Sequence, residues 1–98
     1  MVIWVLRLHY ISNRLFSAYL RFEVLDRPGV LSNITSVFSK NKVSIKRLVQ
    51  HPNKSKKTSS IIIITHISKN EHLNRIIKVI SKKNFIKKKP KLIRIDHN

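Results

Sequence analysis

Hydrophobic and polar positions fall into two clear periods from residue 19 onward. Leu20, Phe22 and Val24 recur every second residue with Arg21 and Glu23 between them, as on a strand buried on one face. After Asp26, Arg27, Pro28 and Gly29 the period changes. Val30, Leu31, Ile34, Val37 and Phe38 follow the three-and-four spacing of an amphipathic helix. The pattern therefore predicts a strand over 19–25 and a helix over 28–40, with Pro28 in its first turn and Asn41 as a left-handed cap. A second strand is expected over 43–51. Its apolar set is Val43, Ile45 and then Leu48, so the period slips near Lys46 and Arg47, as at a β-bulge. Residues 52–59, with Lys54, Lys56 and Lys57, read as a polar hairpin loop.

Four consecutive isoleucines, Ile61, Ile62, Ile63 and Ile64, place a strand over 60–66. Such a run suits a central strand buried on both faces, or one whose second face meets a partner. Ser68 and Glu71 have the spacing of a capping box, which opens a second helix carrying Leu73, Ile76, Ile77 and Ile80 on one face. Residues 84–95 read as an extended segment. Lys87, Lys88, Lys89, Pro90 and Lys91 make its first half an edge or turn, and Leu92, Ile93 and Ile95 return to the core. The order is β-α-β-β-α-β. It predicts an α+β, ferredoxin-like fold: a four-stranded antiparallel sheet with two helices on one face and the isoleucine strand in the middle. Residues 1–18 are read as an N-terminal extension, with a short strand over 1–6, and residues 19–98 as the domain.

Composition narrows the function. Ninety-eight residues, 42% of them apolar, support one domain with one core. No cysteine is present, which excludes disulfides and thiolate chemistry and fits a reducing cytoplasm. The single glycine excludes dinucleotide and P-loop phosphate motifs, which need several glycines, so no cofactor is expected and the chain alone is not read as an enzyme. The net charge is +17, which favours polyanionic partners such as nucleic acid. Yet isoleucine, lysine and asparagine together supply 37 residues, a bias that AT-rich coding produces without selection for a surface. No stretch reaches the ~20 apolar residues that span a bilayer, so no membrane partner is expected and the location is read as cytoplasmic.

Little else in the sequence carries chemistry. His66 and His72 lie six residues apart across a strand–helix junction, and the other histidines (His9, His51, His97) are scattered, so no metal site is read. The carboxylates Glu23, Asp26, Glu71 and Asp96 fall on separate elements, and nothing pairs two of them for acid–base work. The turn at Pro28 and Gly29 stands out. A strand entering a helix there leaves backbone N–H groups without helical partners, beside a residue with no side chain to block a ligand.

The block from Tyr19-Leu20-Arg21-Phe22 through Asp26-Arg27-Pro28-Gly29-Val30-Leu31, then Val43-Ser44-Ile45 with Gln50, closely resembles an ACT domain. Such domains are small regulatory modules that bind amino acids. Thr65-His66 and the tail Lys89-Pro90-Lys91-Leu92-Ile93-Arg94-Ile95 extend the likeness to the C-terminal ACT domain of bacterial homoserine dehydrogenase. Two differences stand out. The dehydrogenase's catalytic regions would precede Tyr19, where 18 unlike residues stand, and its usual surface acids are largely lysines here. The resemblance thus implies a stand-alone or truncated regulatory domain of amino-acid biosynthesis.

In the family the amino acid lies between the first strand–helix loop of one subunit and the second strand of its neighbour. On this chain that implies Asp26, Arg27, Pro28, Gly29, Val30 and Leu31 together with Ser44, Ile45 and Gln50, in a homodimer, with threonine the favoured ligand. Free N–H groups at residues 29–31 and the positive helix end suit a carboxylate. Arg27 can bond that carboxylate and Asp26 the ammonium. The plainer reading of the same residues is that Asp26 caps the helix and Gly29 only permits the turn. Two rival functions stay open: a basic nucleic-acid-binding protein of the same fold, and a module that only dimerises. Against the first, RNA-recognition domains stack bases on strand aromatics, and the isoleucine strand offers none.

Overall fold

The chain's computed structural model describes residues 15–96, so the short strand expected over 1–6 lies outside the described residues, as do His9 and His97. Strand β1 (Leu15–Leu25) starts four residues earlier than the alternation suggested. Phe16 and Ala18 continue the inward set of Leu20, Phe22 and Val24, and Ala18 is fully buried. Its single methyl is too small to stand out in a hydropathy pattern. Helix α1 (Val30–Lys40) follows. It begins two residues later than expected because Gly29, at its N-cap, is left-handed, with φ 87°.

At the other end of α1, Asn41 is not left-handed (φ −97°, ψ 15°), and Lys42 takes that conformation instead, at φ 60°. Asn41 caps through its side chain, the amide donating to the Val37 carbonyl at 2.8 Å. Val43 is buried, yet it lies in the turn before the second strand, where its N–H bonds the Phe38 carbonyl at 3.0 Å. Strand β2 (Ile45–Asn53) contains the expected bulge, between Ile45 and Arg47. It pairs with β3 (Thr58–Thr65) out to Asn53 and Thr58, so the hairpin loop is residues 54–57 rather than 52–59.

The capping box does not form. Ser68 belongs to a two-residue strand, β4 (Ser68–Lys69), and its hydroxyl donates to the His66 carbonyl at 3.1 Å. Helix α2 (Asn70–Ser81) follows with Lys69 as its N-cap and no side-chain cap bond. The last strand, β5 (Lys91–Asp96), is shorter than the expected extended segment, because residues 82–85 form a turn and Ile86 makes an isolated bridge to Val24.

All strand pairs are antiparallel. β1 lies between β3 and β5, and β3 lies between β1 and β2, so the isoleucine strand is internal as expected. β4 pairs with Leu15 and Phe16 at the start of β1. Residues directly opposite share a face, and Leu20–Ile63 and Phe22–Ile61 are opposite pairs of fully buried side chains. They pack with Ile34 and Phe38 of α1 and Leu73, Ile76 and Ile80 of α2, so both helices cover the same face. The Phe22 and Phe38 rings meet edge-on at 6.3 Å.

The other face of the sheet has no layer over it among the described residues. There Tyr19 lies between Ile64 and Ile93, and Ile62 lies beside Val49. Ile62 and Ile64 are half-buried, whereas Ile93 is 60% and Ile95 52% exposed. The four isoleucines thus divide two and two. Ile61 and Ile63 fill the core, and Ile62 and Ile64 form part of an open apolar strip.

Candidate functional site

Gly29 creates the geometry at the start of α1. Its positive φ favours glycine, and a Cβ placed there meets nothing within 4 Å, so the turn faces open space. Val30 donates to the Arg27 carbonyl at 3.4 Å and Asn33 to the Gly29 carbonyl at 3.0 Å. The N–H groups of Gly29, Leu31 and Ser32 have no partner among the described residues. No side chain caps the helix, so Asp26 is not a cap. Its backbone N–H is held by the Lys57 carbonyl at 2.9 Å, and its carboxylate has no bonded partner among the described residues. Three N–H donors without a partner among the described residues therefore sit at the positive end of an 11-residue helix.

Arg27, Pro28, Gly29, Val30 and Asn33 line an open depression of about 270 Å³ together with Lys83, Asn84 and Phe85. The Arg27 guanidinium donates to Asn84 Oδ1 at 3.1 Å. Sequence reasoning missed Lys83 and Asn84, since 57 residues separate Arg27 from Asn84 and no local pattern links them. Only the pairing of β1 with the segment before β5, through Leu25 N–H to Phe85 O at 2.9 Å, brings them together.

The remaining expected residues lie elsewhere on the chain. Ser44 and Ile45 line a separate depression of about 380 Å³ with Thr35, Phe38, Ser39 and Lys42. It sits against the C-terminal half of α1, and Ser44 and Ile45 follow that helix end, roughly 16 Å of helix from Gly29 at 1.5 Å per residue. Gln50 is exposed on β2, opposite Ile61, and lines neither depression. One chain does not gather the loop and the second strand into one pocket.

A family model for the ACT domain matches residues 12–88. The chain belongs to the ACT-domain family. It is 31% identical over 80 residues to homoserine dehydrogenase of Neisseria gonorrhoeae, a stretch that covers 82% of this chain and 18% of that enzyme. Among solved structures, homoserine dehydrogenase from Thiobacillus denitrificans superposes with a TM-score of 0.75 at 30% identity, over 86% of this chain and 18% of that one. The ACT domain of GTP pyrophosphokinase from Chlorobium tepidum shares the fold, with a TM-score of 0.62 and 20% identity, over 83% and 99% of the two chains. The chain therefore spans under a fifth of the dehydrogenases it matches, and the match falls on a regulatory module. No helix among the described residues is long and apolar enough to cross a membrane.

On the open face of the ACT domain, Glu23 is held by its neighbours. Ser60 donates to both carboxylate oxygens, at 2.8 and 2.7 Å, and Arg21 Nε donates at 3.0 Å. Burial pushes the carboxyl up, but the Ser60 bond, the Arg21 bond and charge, and the charge of Lys88 outweigh it, so the net shift is downward from 4.5. A carboxyl lowered in the folded state contributes stability that is present above its unfolded value and lost as pH falls through the folded one. Urea melts between pH 6 and pH 3 should therefore show stability falling on acidification. Glu23→Gln should flatten that dependence by up to about 1 kcal/mol, as expected for a partly exposed ion pair. An equal slope in the variant would remove Glu23 from the acid response.

Proposed function

We propose that this ACT domain is an amino-acid-sensing regulatory module of aspartate-family biosynthesis, acting as a homodimer and without a catalytic centre of its own. The observation that carries the reading is the uncapped turn at Gly29, open beside its Cα and with three N–H donors lacking a partner among the described residues, on a chain similar to the ACT region of homoserine dehydrogenases. The ligand's carboxylate takes the N–H groups at the helix start, with Arg27 beside them, and Asp26 takes its ammonium. Ser44, Ile45 and Gln50 of a second copy close the site. The apolar strip of Tyr19, Ile62, Ile64 and Ile93 supports such pairing, since its half-buried side chains and the exposed Ile93 lie side by side on a face with no layer over it among the described residues. By its resemblance to homoserine dehydrogenase, threonine is the first ligand to test.

Calorimetric titration of the whole chain with threonine, followed by the other proteinogenic amino acids, tests the reading. Threonine should bind with one site per subunit, and light scattering should give twice the chain mass. No heat with any amino acid, or a strict monomer, overturns it.

A further inference from the structure

The open sheet face carries a second feature at the end far from β4. Arg21 and Glu23 of β1, Lys56 of the hairpin loop, and Lys87 and Lys88 line a cleft of about 400 Å³. An adjoining hollow of about 170 Å³ shares Arg21, Glu23 and Lys88 and adds Lys89 and Lys91. Six cationic side chains thus surround one carboxylate, and Ser60 and Arg21 already bond that carboxylate. The arrangement is anchored. Lys87 N–H bonds the Glu23 carbonyl at 2.8 Å, Ile86 bridges to Val24, and Pro90 is buried.

Two features separate this cluster from lysines scattered over a solvated surface. It is concave, and a cleft in which six cations outnumber one carboxylate focuses a net positive field on whatever enters. Arg21 and Lys91 also stand directly opposite each other on paired strands, a like-charge pairing that is unfavourable and that the Glu23 carboxylate, bonded to Arg21, offsets with one negative charge against the surrounding cations. The space exceeds what one phosphate needs and falls within the range of small-ligand pockets. Among the described residues it offers no aromatic side chain on which a base could stack.

We propose that this cleft binds a small oligophosphate, a chain of two or more linked phosphate groups, at a site separate from the turn at Gly29. The ammonium groups of Lys56, Lys88 and Lys91 contact the phosphate oxygens as point charges. Arg21, oriented by Glu23, supplies a directed guanidinium bond. Occupancy lowers the mutual repulsion of the lysines that Glu23 alone does not balance, so the ligand stabilises the fold.

The test is thermal melting of the full chain with inorganic tripolyphosphate, against sodium chloride at equal ionic strength, with calorimetry for stoichiometry. Tripolyphosphate should raise the midpoint by several degrees where chloride does not, with one site per chain. The double variant Lys88→Gln/Lys91→Gln should bind at least fivefold more weakly. Lys40→Gln/Lys78→Gln, with the same charge change on the two helices, should bind as the native chain does. An equal response to chloride, an equal loss in the helix variant, or several equivalent sites per chain overturns the proposal. So does an oligonucleotide that binds more tightly than tripolyphosphate and is indifferent to Lys88 and Lys91, because the anion surface is then a nucleic-acid one. Binding of threonine in the double variant reports separately on the turn at Gly29.

Discussion

Phe38→Ala is expected to destabilise the domain by about 3–5 kcal/mol, the range for deleting a buried aromatic ring. Phe38 has no exposed surface and meets Phe22 edge-on in the middle of the layer between helix and sheet. Its carbonyl also accepts from Asn41 and Val43, which hold the turn leading into β2. A domain this small has only about 5–15 kcal/mol of stability to lose, so the variant should give up a large fraction of it. Urea melts followed by circular dichroism measure the loss. Phe38→Leu, which keeps most of the volume, should cost less than half as much. A loss under 1 kcal/mol for the alanine variant would mean that the core does not close around this ring.

Gly29→Val should have the largest effect on the proposed amino-acid site. A β-branched side chain at φ 87° is strained, which costs roughly 1–2 kcal/mol of stability. The branched methyls also occupy the open space the turn faces, where the ligand carboxylate must approach the N–H groups. Threonine binding measured by calorimetry should weaken at least tenfold, about 1.4 kcal/mol. Gly29→Asn separates the two effects. Asparagine tolerates the left-handed conformation, so the asparagine variant should be the more stable of the two. If both variants bind as the native chain does, the turn is structural and the ligand lies elsewhere.

The fold was largely readable because its signals are local and repeated. Alternation in β1, the three-and-four spacing in α1 and α2, and the isoleucine run each report burial by neighbours a few residues apart. The misreadings share a cause. Ala18 is buried but too small to mark a strand. Ser68 and Glu71 match a capping box, yet the pairing of Ser68 with Phe16 draws it into a strand and leaves the hydroxyl bonded to His66. Asn41 was expected to adopt the left-handed conformation, but its side-chain amide satisfies the helix end without it.

The site divides in the same way. By itself the sequence determined the turn: one glycine after a proline, between a strand and a helix, fixes a backbone whose N–H groups have no helical partner. Family membership followed from the same block. Tertiary structure alone decided what surrounds that turn. Asn84 reaches Arg27 across 57 residues, Ser44 and Ile45 sit a helix length away, and six cations from three segments converge on the open face. Contacts of that kind depend on strand register and chain reversal. Both are set by burial of the whole core, and no short stretch of sequence contains them.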